Sequence, residues 1–380
     1  MITIRMVSSA RDLKTFAAFP NRLYRDNPNY VPLLVKEELE VLDQKKNPVF
    51  KNADAWYYLA YDNTKVVGRI AVIVNHIELN EQNIQKCRFG WLDFIESDEV
   101  LDALLAQLEE KARELGLPLV QGPMGFSNME KAGLLIEGFD EIGTMITLYN
   151  HPYYASMLES RGYTKASEWV EYKFTLPPEI PAKTKKFASI ITERYNLKLL
   201  NFKSNKEIVP YVDEMFKLLD RTYRKLETYV PIQLWQIEHY KEKYLSFINP
   251  AFIKAVVDGD GRMVAFAITM PSFSKALQKA KGNLLPLGWY HLLKAKRKNT
   301  KAAMYLIGID EKYQGKGVTA IMFLEIFNMF KAQGIQVVET NPELEDNKAV
   351  QQLWSVYNPT LHKRRRTYKK EIVLSPKPAL

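Results

Sequence analysis

Cysteine is almost missing, with Cys87 the only one in 380 residues. That excludes an internal disulfide and a cysteine-built metal site, and it leaves Cys87 as buried packing in a reducing compartment. Histidine is scarce too. His76, His151, His239, His291 and His362 are scattered, with no second ligand at metal-binding spacing, so no metal is expected. A Gly-x-Ser-x-Gly elbow and a Cys/His arrangement are both lacking, which removes the commonest covalent nucleophiles. No apolar run reaches membrane-spanning length, and residues 1–7 alternate as a strand does rather than carrying the apolar core of a signal peptide. A soluble, cytoplasmic protein is the expectation. Acidic residues disappear between Asp260 and Asp310, while nine basic residues from Arg262 to Lys301 fall in that interval and match the whole net charge of +9. A second basic run, His362 to Arg366 with Lys369 and Lys370, lies near the C-terminus. Its alternation into Tyr368, Ile372 and Leu374 fits a closing strand with basic outward positions.

What is present suits two cores, because a chain of this length with 47% hydrophobic residues exceeds the usual single domain. Three prolines at 177, 178 and 181 cannot sit in a helix interior or a central strand and mark a linker. The expected division is 1–176, a linker over 177–190, and 191–380 with a basic insertion at 272–301. Each half offers the same order: a first strand, a helical region, a hairpin about a polar turn (62–65 and 258–261), a fourth strand, a helix, a fifth strand and closing elements. The helical region of the insertion breaks near Gly282 and Pro286, and a further helix is expected from Asn347 to Tyr357.

The most informative stretch runs from Ile307 to Ala320, where a strand enters a tight turn at Gly315 and Gly317 and continues as a helix. Glycine lets the backbone point several N–H groups at one anion, and the helix N-terminus adds its positive end. It is neither a Walker loop nor a full Gly-x-Gly-x-x-Gly, since Ala320 holds the third glycine's place. With Gln314, Gly317 and the apolar strand before them, the segment resembles the acetyl-CoA loop of the GNAT superfamily of N-acetyltransferases, with Thr319 where that family prefers Gly or Ala. The segments 122–128 and 133–140 are similar to stretches of uncharacterised bacterial members. In the first half, Glu96-Ser97-Asp98-Glu99 occupies the corresponding turn, and three carboxylates there suit helix capping and repel phosphate.

The resemblance implies an α/β fold of the α+β kind: two tandem acetyltransferase-like domains, each a mixed, mostly antiparallel sheet flanked by helices, the first without a cofactor site. It implies acetyl-CoA or another acyl-CoA as co-substrate, no metal, and direct acyl transfer to a small-molecule or peptide amine. The implied donor site is Ile307, Ile309, Gln314, Gly315, Lys316, Gly317, Val318, Thr319 and Asn347. Many members use a tyrosine as general acid in a pattern Asn-x-x-Ala-x-x-Leu-Tyr; here the matched residues are Asn347, Val350, Leu353 and Trp354, and indole cannot serve as an acid. Tyr357, three residues on, and Glu339, near the end of the fifth strand, are the catalytic candidates, each with packing or ion pairing as its plain alternative. A Fem-like aminoacyl-tRNA-dependent transferase and a non-catalytic CoA-binding or sensor module remain alternatives. The insertion reads as a lid over the cleft, as a basic amphipathic surface for an anionic membrane or RNA, or as helices with a solvated lysine face.

Overall fold

The computed structural model describes residues 1–224, 229–244 and 247–374. The chain forms two compact units, one from Met1–Trp169, Phe273–Leu292 and the segment from Lys363 onward, the other from Val170–Ser272 and Leu293–His362. In chain order the first stretch contains β1 (Ile2–Met6), α1 (Ala10–Leu23), α2 (Val35–Leu42), β2 (Ala53–Asp62), β3 (Lys65–Asn75) and α3 (His76–Asn80). It continues with β4 (Cys87–Phe94), α4 (Asp98–Glu114), β5 (Leu119–Gly122), β6 (Leu134–Glu137), α5 (Tyr153–Glu159) and β7 (Thr164–Thr175). Then come α6 (Ala182–Arg194), β8 (Lys198–Asn201), α7 (Asn205–Tyr223), α8 (Leu234–Tyr244), β9 (Ile253–Val257), β10 (Met263–Pro271), α9 (Ser274–Ala280) and α10 (Gly288–Arg297). The last elements are β11 (Lys301–Ile309), α11 (Val318–Ala332), β12 (Val337–Glu339), β13 (Glu343–Leu344), α12 (Lys348–Gln351) and β14 (Thr360–Glu371).

In the first unit the strand order is β1-β2-β3-β4-β5-β14-β7, with β6 beside β14. The pairs β1/β2, β2/β3, β3/β4, β5/β14 and β6/β14 run antiparallel, whereas β4 and β5 pair in parallel, only through Cys87 with Val120 and Arg88 with Gln121. Helix α4 presents Val100, Leu101, Leu104, Leu105, Leu108 and Ala112 to this core, the stripe its sequence spacing dictates. In the second unit the order is β8-β9-β10-β11-β12-β7, again antiparallel except for the β11/β12 pair. Its core centres on α11, whose Val318, Ile321, Met322, Phe323, Ile326, Phe327 and Phe330 are buried. Each unit is the mixed, mostly antiparallel sheet flanked by helices that the sequence implies.

The expected boundaries need correction. The division falls at Trp169/Val170, inside β7, and 177–190 is no linker: Leu176 and Ile180 are buried, and α6 carries Ala188 and Ile191 into the second core. The prolines stand ahead of the first helical turn, where no backbone N–H is needed. The insertion 272–301 breaks into α9 and α10 as expected, but 273–292 belongs to the first unit. Ser274 donates to the Gly143 carbonyl (2.8 Å), Gln278 to those of Pro28 (2.7 Å) and Tyr30 (3.0 Å), and the Gly282 carbonyl accepts from Val35 N–H (3.1 Å). The closing strand β14 also leaves the second half, since Tyr368 to Glu371 pair with Leu119–Gly122 of β5. The helix expected from Asn347 to Tyr357 shrinks to α12 and a separate 3-10 turn at Ser355–Tyr357, ended by Asn358 in the left-handed region and Pro359.

Candidate active site

In the second unit β11 and β12 pair only through Lys301–Ala303 against Val337–Glu339 and then part. A β-bulge at Tyr305 marks the start of the opening, and Asn341 donates across it to the Tyr305 carbonyl. Asp310 N–H bonds the Val264 carbonyl on the β10 side (2.8 Å). By strand alternation the N–H groups of Ile309 and Ile307 therefore face away from β10, along the open edge.

Beyond Ile309 the chain folds into a turn at Glu311–Tyr313, held by Asp310, whose carboxylate accepts from Lys312 N–H (3.0 Å) and lies 3.6 Å from both Arg221 and Arg262. Gln314 folds back and donates to the Ile309 carbonyl (3.1 Å), so its side chain ties the turn to the strand end. Gly315 and Gly317 have φ of +70° and +80°. A Cβ at Gly317 would meet the Phe187 ring of α6 at 2.4 Å, whereas one at Gly315 would meet nothing within 4 Å. Among the described residues, no hydrogen-bond partner takes the backbone N–H of Gly315, Gly317, Val318 or Thr319. These donors sit at the positive end of a 15-residue helix, beside the Lys316 ammonium, which lies 5.4 Å from the Tyr195 ring centre. The arrangement suits a phosphate group. Asn347 caps α12 through Val350 N–H (3.4 Å).

Of the two catalytic candidates, Glu339 sits at the strand end as expected, whereas Tyr357 does not share a helix with Trp354. Tyr357 stacks on Phe174 (5.3 Å, 18°) and meets Phe327 edge-on (4.8 Å); burial pushes its phenol up to about 12, and the helix that would have aligned it with Trp354 is broken. Glu339 closes the β12 pairing, faces Lys301 at 3.9 Å and is mostly covered.

Glu343 is the carboxylate that sequence reasoning missed. It lies four residues past β12, in the short β13 that pairs with β7, and is buried. Trp354, stacked on Phe174 and tilted against Phe323, donates its indole N–H to Glu343 Oε1 at 2.6 Å, while Oε2 is itself buried without a hydrogen-bond partner among the described residues. Burial raises the carboxyl to about 7; the indole donor and Thr340 oppose the shift without cancelling it. Tyr223, at the end of α7, lies near enough for that charge to push its phenol up, after burial, to about 12. A carboxyl poised near neutrality can take and return a proton, although here Oε2 is itself buried.

The matching place in the first unit is filled. Phe94 N–H, at the end of β4, donates to the Tyr154 hydroxyl (2.7 Å), and the Phe94 carbonyl accepts from Tyr153 (2.6 Å) and Tyr154 (3.0 Å). Tyr24 joins Tyr154 (2.9 Å) and donates to Asp93 (2.7 Å), which Arg69 pairs at 2.7 Å. Ser97 caps α4 through Val100 N–H (3.4 Å), and Asp98 and Asp102 are held by Arg161 at 2.7 and 2.5 Å. An open cavity of about 610 Å³ adjoins the strand end, lined by Leu23, Ile95, Glu96, His151, Pro152 and Tyr153, with a carboxylate and no lysine or arginine.

No protein-family model matches the chain. It is 25% identical over 380 residues to Protein YghO of Escherichia coli K12, covering 97% of this chain and 95% of the relative. It is 26% identical to a bacterial ceramide synthase of Caulobacter vibrioides, covering 98% of each. Among solved structures, a tandem GNAT protein from the clavulanic acid biosynthesis pathway superposes with a TM-score of 0.58 at 11% identity, over 99% of this chain and all of that one. A GCN5-related N-acetyltransferase from Sphaerobacter thermophilus gives 0.54 at 12% identity, over 98% of both. The chain has the tandem GNAT fold.

Proposed function

We propose that the protein is an acyl-CoA-dependent N-acyltransferase whose second unit carries both the donor site and the reacting groups. The observation that carries this reading is the set of unpaired backbone N–H groups of Gly315, Gly317, Val318 and Thr319, at the start of α11 and next to the open edge of β11. The donor's pyrophosphate sits on that set, with Lys316 adding charge. The pantetheine arm then follows β11, so that the N–H groups of Ile307 and Ile309 face the thioester carbonyl and stabilise the oxyanion that develops on it.

Glu343 Oε2 accepts a proton from the attacking amine as the C–N bond forms. The C–S bond breaks, and the proton returns to the departing thiolate. Trp354 positions the carboxylate and keeps Oε1 occupied, so the proton exchange is assigned to Oε2, a buried oxygen that the acceptor's proton must reach as the acceptor binds. The ceramide synthase relative supports an acyl group joined to an amine, since ceramide is the amide of a long-chain amine. Transfer of acetyl or of a longer acyl group uses the same backbone donors.

Calorimetry with acetyl-CoA and a long-chain acyl-CoA tests the donor site. The Gly315→Asp variant is informative because Asp tolerates the left-handed region and nothing crowds that position, so the fold survives while a carboxylate meets the phosphate. Wild type should bind at least one of the two donors, with affinity about tenfold or more weaker in Gly315→Asp. No binding of either donor, or equal binding by both proteins, refutes the reading.

A further inference from the structure

Apolar side chains on a soluble face are normally scattered singly, yet here five cluster within nine residues. Leu285 is 79% exposed, Leu287 62%, Trp289 48% and Tyr290 50%, with Leu293 one helical turn further along. On α10 the exposed residues Trp289, Tyr290, Leu293, Lys294 and Arg297 fall on one side at a spacing of 3.6 residues per turn, and Gly288 on the other side is buried. The apolar residues occupy the start of that face, the loop before it adds Leu285 and Leu287, and the cations occupy its end and continue into Lys298. No acidic residue lies anywhere from 261 to 309.

Each candidate occupant makes a different demand. A second copy of the same surface would bring lysine ridges together and repel. RNA would use the cations and rings but gains nothing from exposed leucines. A bilayer with anionic headgroups uses both parts, because leucine and tryptophan enter the boundary between headgroups and acyl chains while lysine and arginine meet the phosphates. Among the described residues no helix is long and apolar enough to cross a membrane, so the contact is one of lying on the surface.

We infer that α10 and the loop before it form a docking surface for an anionic lipid bilayer. This goes beyond the acyltransferase reading and does not depend on it. If that reading holds as well, the surface brings the enzyme to acceptors and donors that are themselves held in lipid.

Sedimentation of the purified full-length chain with phosphatidylglycerol vesicles, against phosphatidylcholine vesicles, tests it. Wild type should sediment with the anionic vesicles about tenfold more than with the neutral ones, and less as salt rises. The triple variant Leu285→Ser, Leu287→Ser, Trp289→Ser should lose about tenfold in vesicle affinity. Lys294→Gln with Arg297→Gln and Lys298→Gln should lose a comparable factor without touching any apolar contact. The positions are exposed, so thermal melting of both variants should match wild type, and a variant that melts early is set aside in favour of the other. Failure of wild type to sediment with either vesicle, or binding unchanged in a folded variant, overturns the proposal. Binding to a structured RNA without binding to vesicles overturns it in favour of nucleic acid. The assay reads lipid binding alone, so its failure leaves the donor-binding experiment unaffected, and the reverse also holds.

Discussion

At the scale of single residues, the arrangement turns on Glu343 and Trp354. A carboxyl raised to about 7 is half-ionised near neutrality, so a base at this position makes kcat/KM rise as pH climbs through that value. In Glu343→Gln the amide still accepts from the indole but cannot take a proton. The expected loss is about 10²-fold or more in kcat, with the rising limb gone from the residual profile. Trp354→Phe keeps the packing and removes a donor that favours the charged form, so the limb should move to higher pH. The same shift affects stability. Because the folded-state value lies above the ordinary 4.5, the folded protein binds the proton more tightly, and the gain present at low pH is lost as pH rises toward 7. Glu343→Gln should therefore melt higher than wild type at pH 8, by an amount worth about 3 kcal/mol at most. A profile of Glu343→Gln with the limb intact assigns the base elsewhere. None of this could be read from local sequence. Glu343 lies in an unremarkable acidic run with Glu345 and Asp346, and it becomes special only because it is buried beside Trp354, which bonds it. The glycine turn was legible for the opposite reason, since its geometry is set by the residues inside it.

At the scale of elements, β14 shows what alternation can and cannot say. The basic run at 362–370 is a strand, as its pattern implies, but its basic positions do not all face outward: His362, Lys363 and Arg365 are buried, while Arg364, Arg366 and Lys370 are answered by acids from distant segments. Arg364 meets Glu137 (3.2 Å) and Glu168 (3.0 Å), Arg366 meets Glu168 (2.9 Å) and Glu159 (3.2 Å), and Lys370 meets Glu109 (2.8 Å). Which sheet the strand would join was beyond the sequence, because β5, β6 and β7 all lie about 200 residues or more upstream and pairing partners are chosen by the packed core rather than by neighbours. Glu168 is the hub. Burial works to raise its pKa, but Arg366 and Arg364 outweigh it and hold the carboxyl below the usual range. Its contribution is therefore full above the ordinary carboxylate value and disappears as pH falls through the lower folded value. Glu168→Gln should cost about 2 kcal/mol at pH 7, leaving two partly buried arginines short of a partner. In urea unfolding its midpoint should fall less than that of wild type when the buffer is taken from pH 7 to below pH 4. A variant with the wild-type midpoint at pH 7 would mean that the cluster contributes nothing.

At the scale of the molecule, one fold appears twice with opposite treatment of the same point. In both units a parallel pair inside an antiparallel sheet separates after two or three residues, and a helix begins just past the strand that opens. In the second unit that helix starts bare, with glycine φ values that aim N–H groups outward and Lys316 beside them. In the first it starts with a serine cap and acids already held by Arg161, and the strand end is occupied by Tyr153 and Tyr154. The order of elements and the contrast between the two turns were both readable from the sequence, because one follows from hydrophobic periodicity and the other from local residue type. The tyrosine plug was not, since it needs α5 to fold back onto β4. The contrast predicts that the full chain binds one acyl-CoA, not two. Calorimetric titration should give a stoichiometry near one, and Gly315→Asp should remove that single event. Substituting Tyr154→Phe should leave donor binding unchanged, because Tyr154 bonds the strand end of the first unit, where no phosphate row exists. Two equivalents of bound donor, or a residual site in Gly315→Asp that Tyr154→Phe alters, would show that the first copy still binds the donor despite its capped helix.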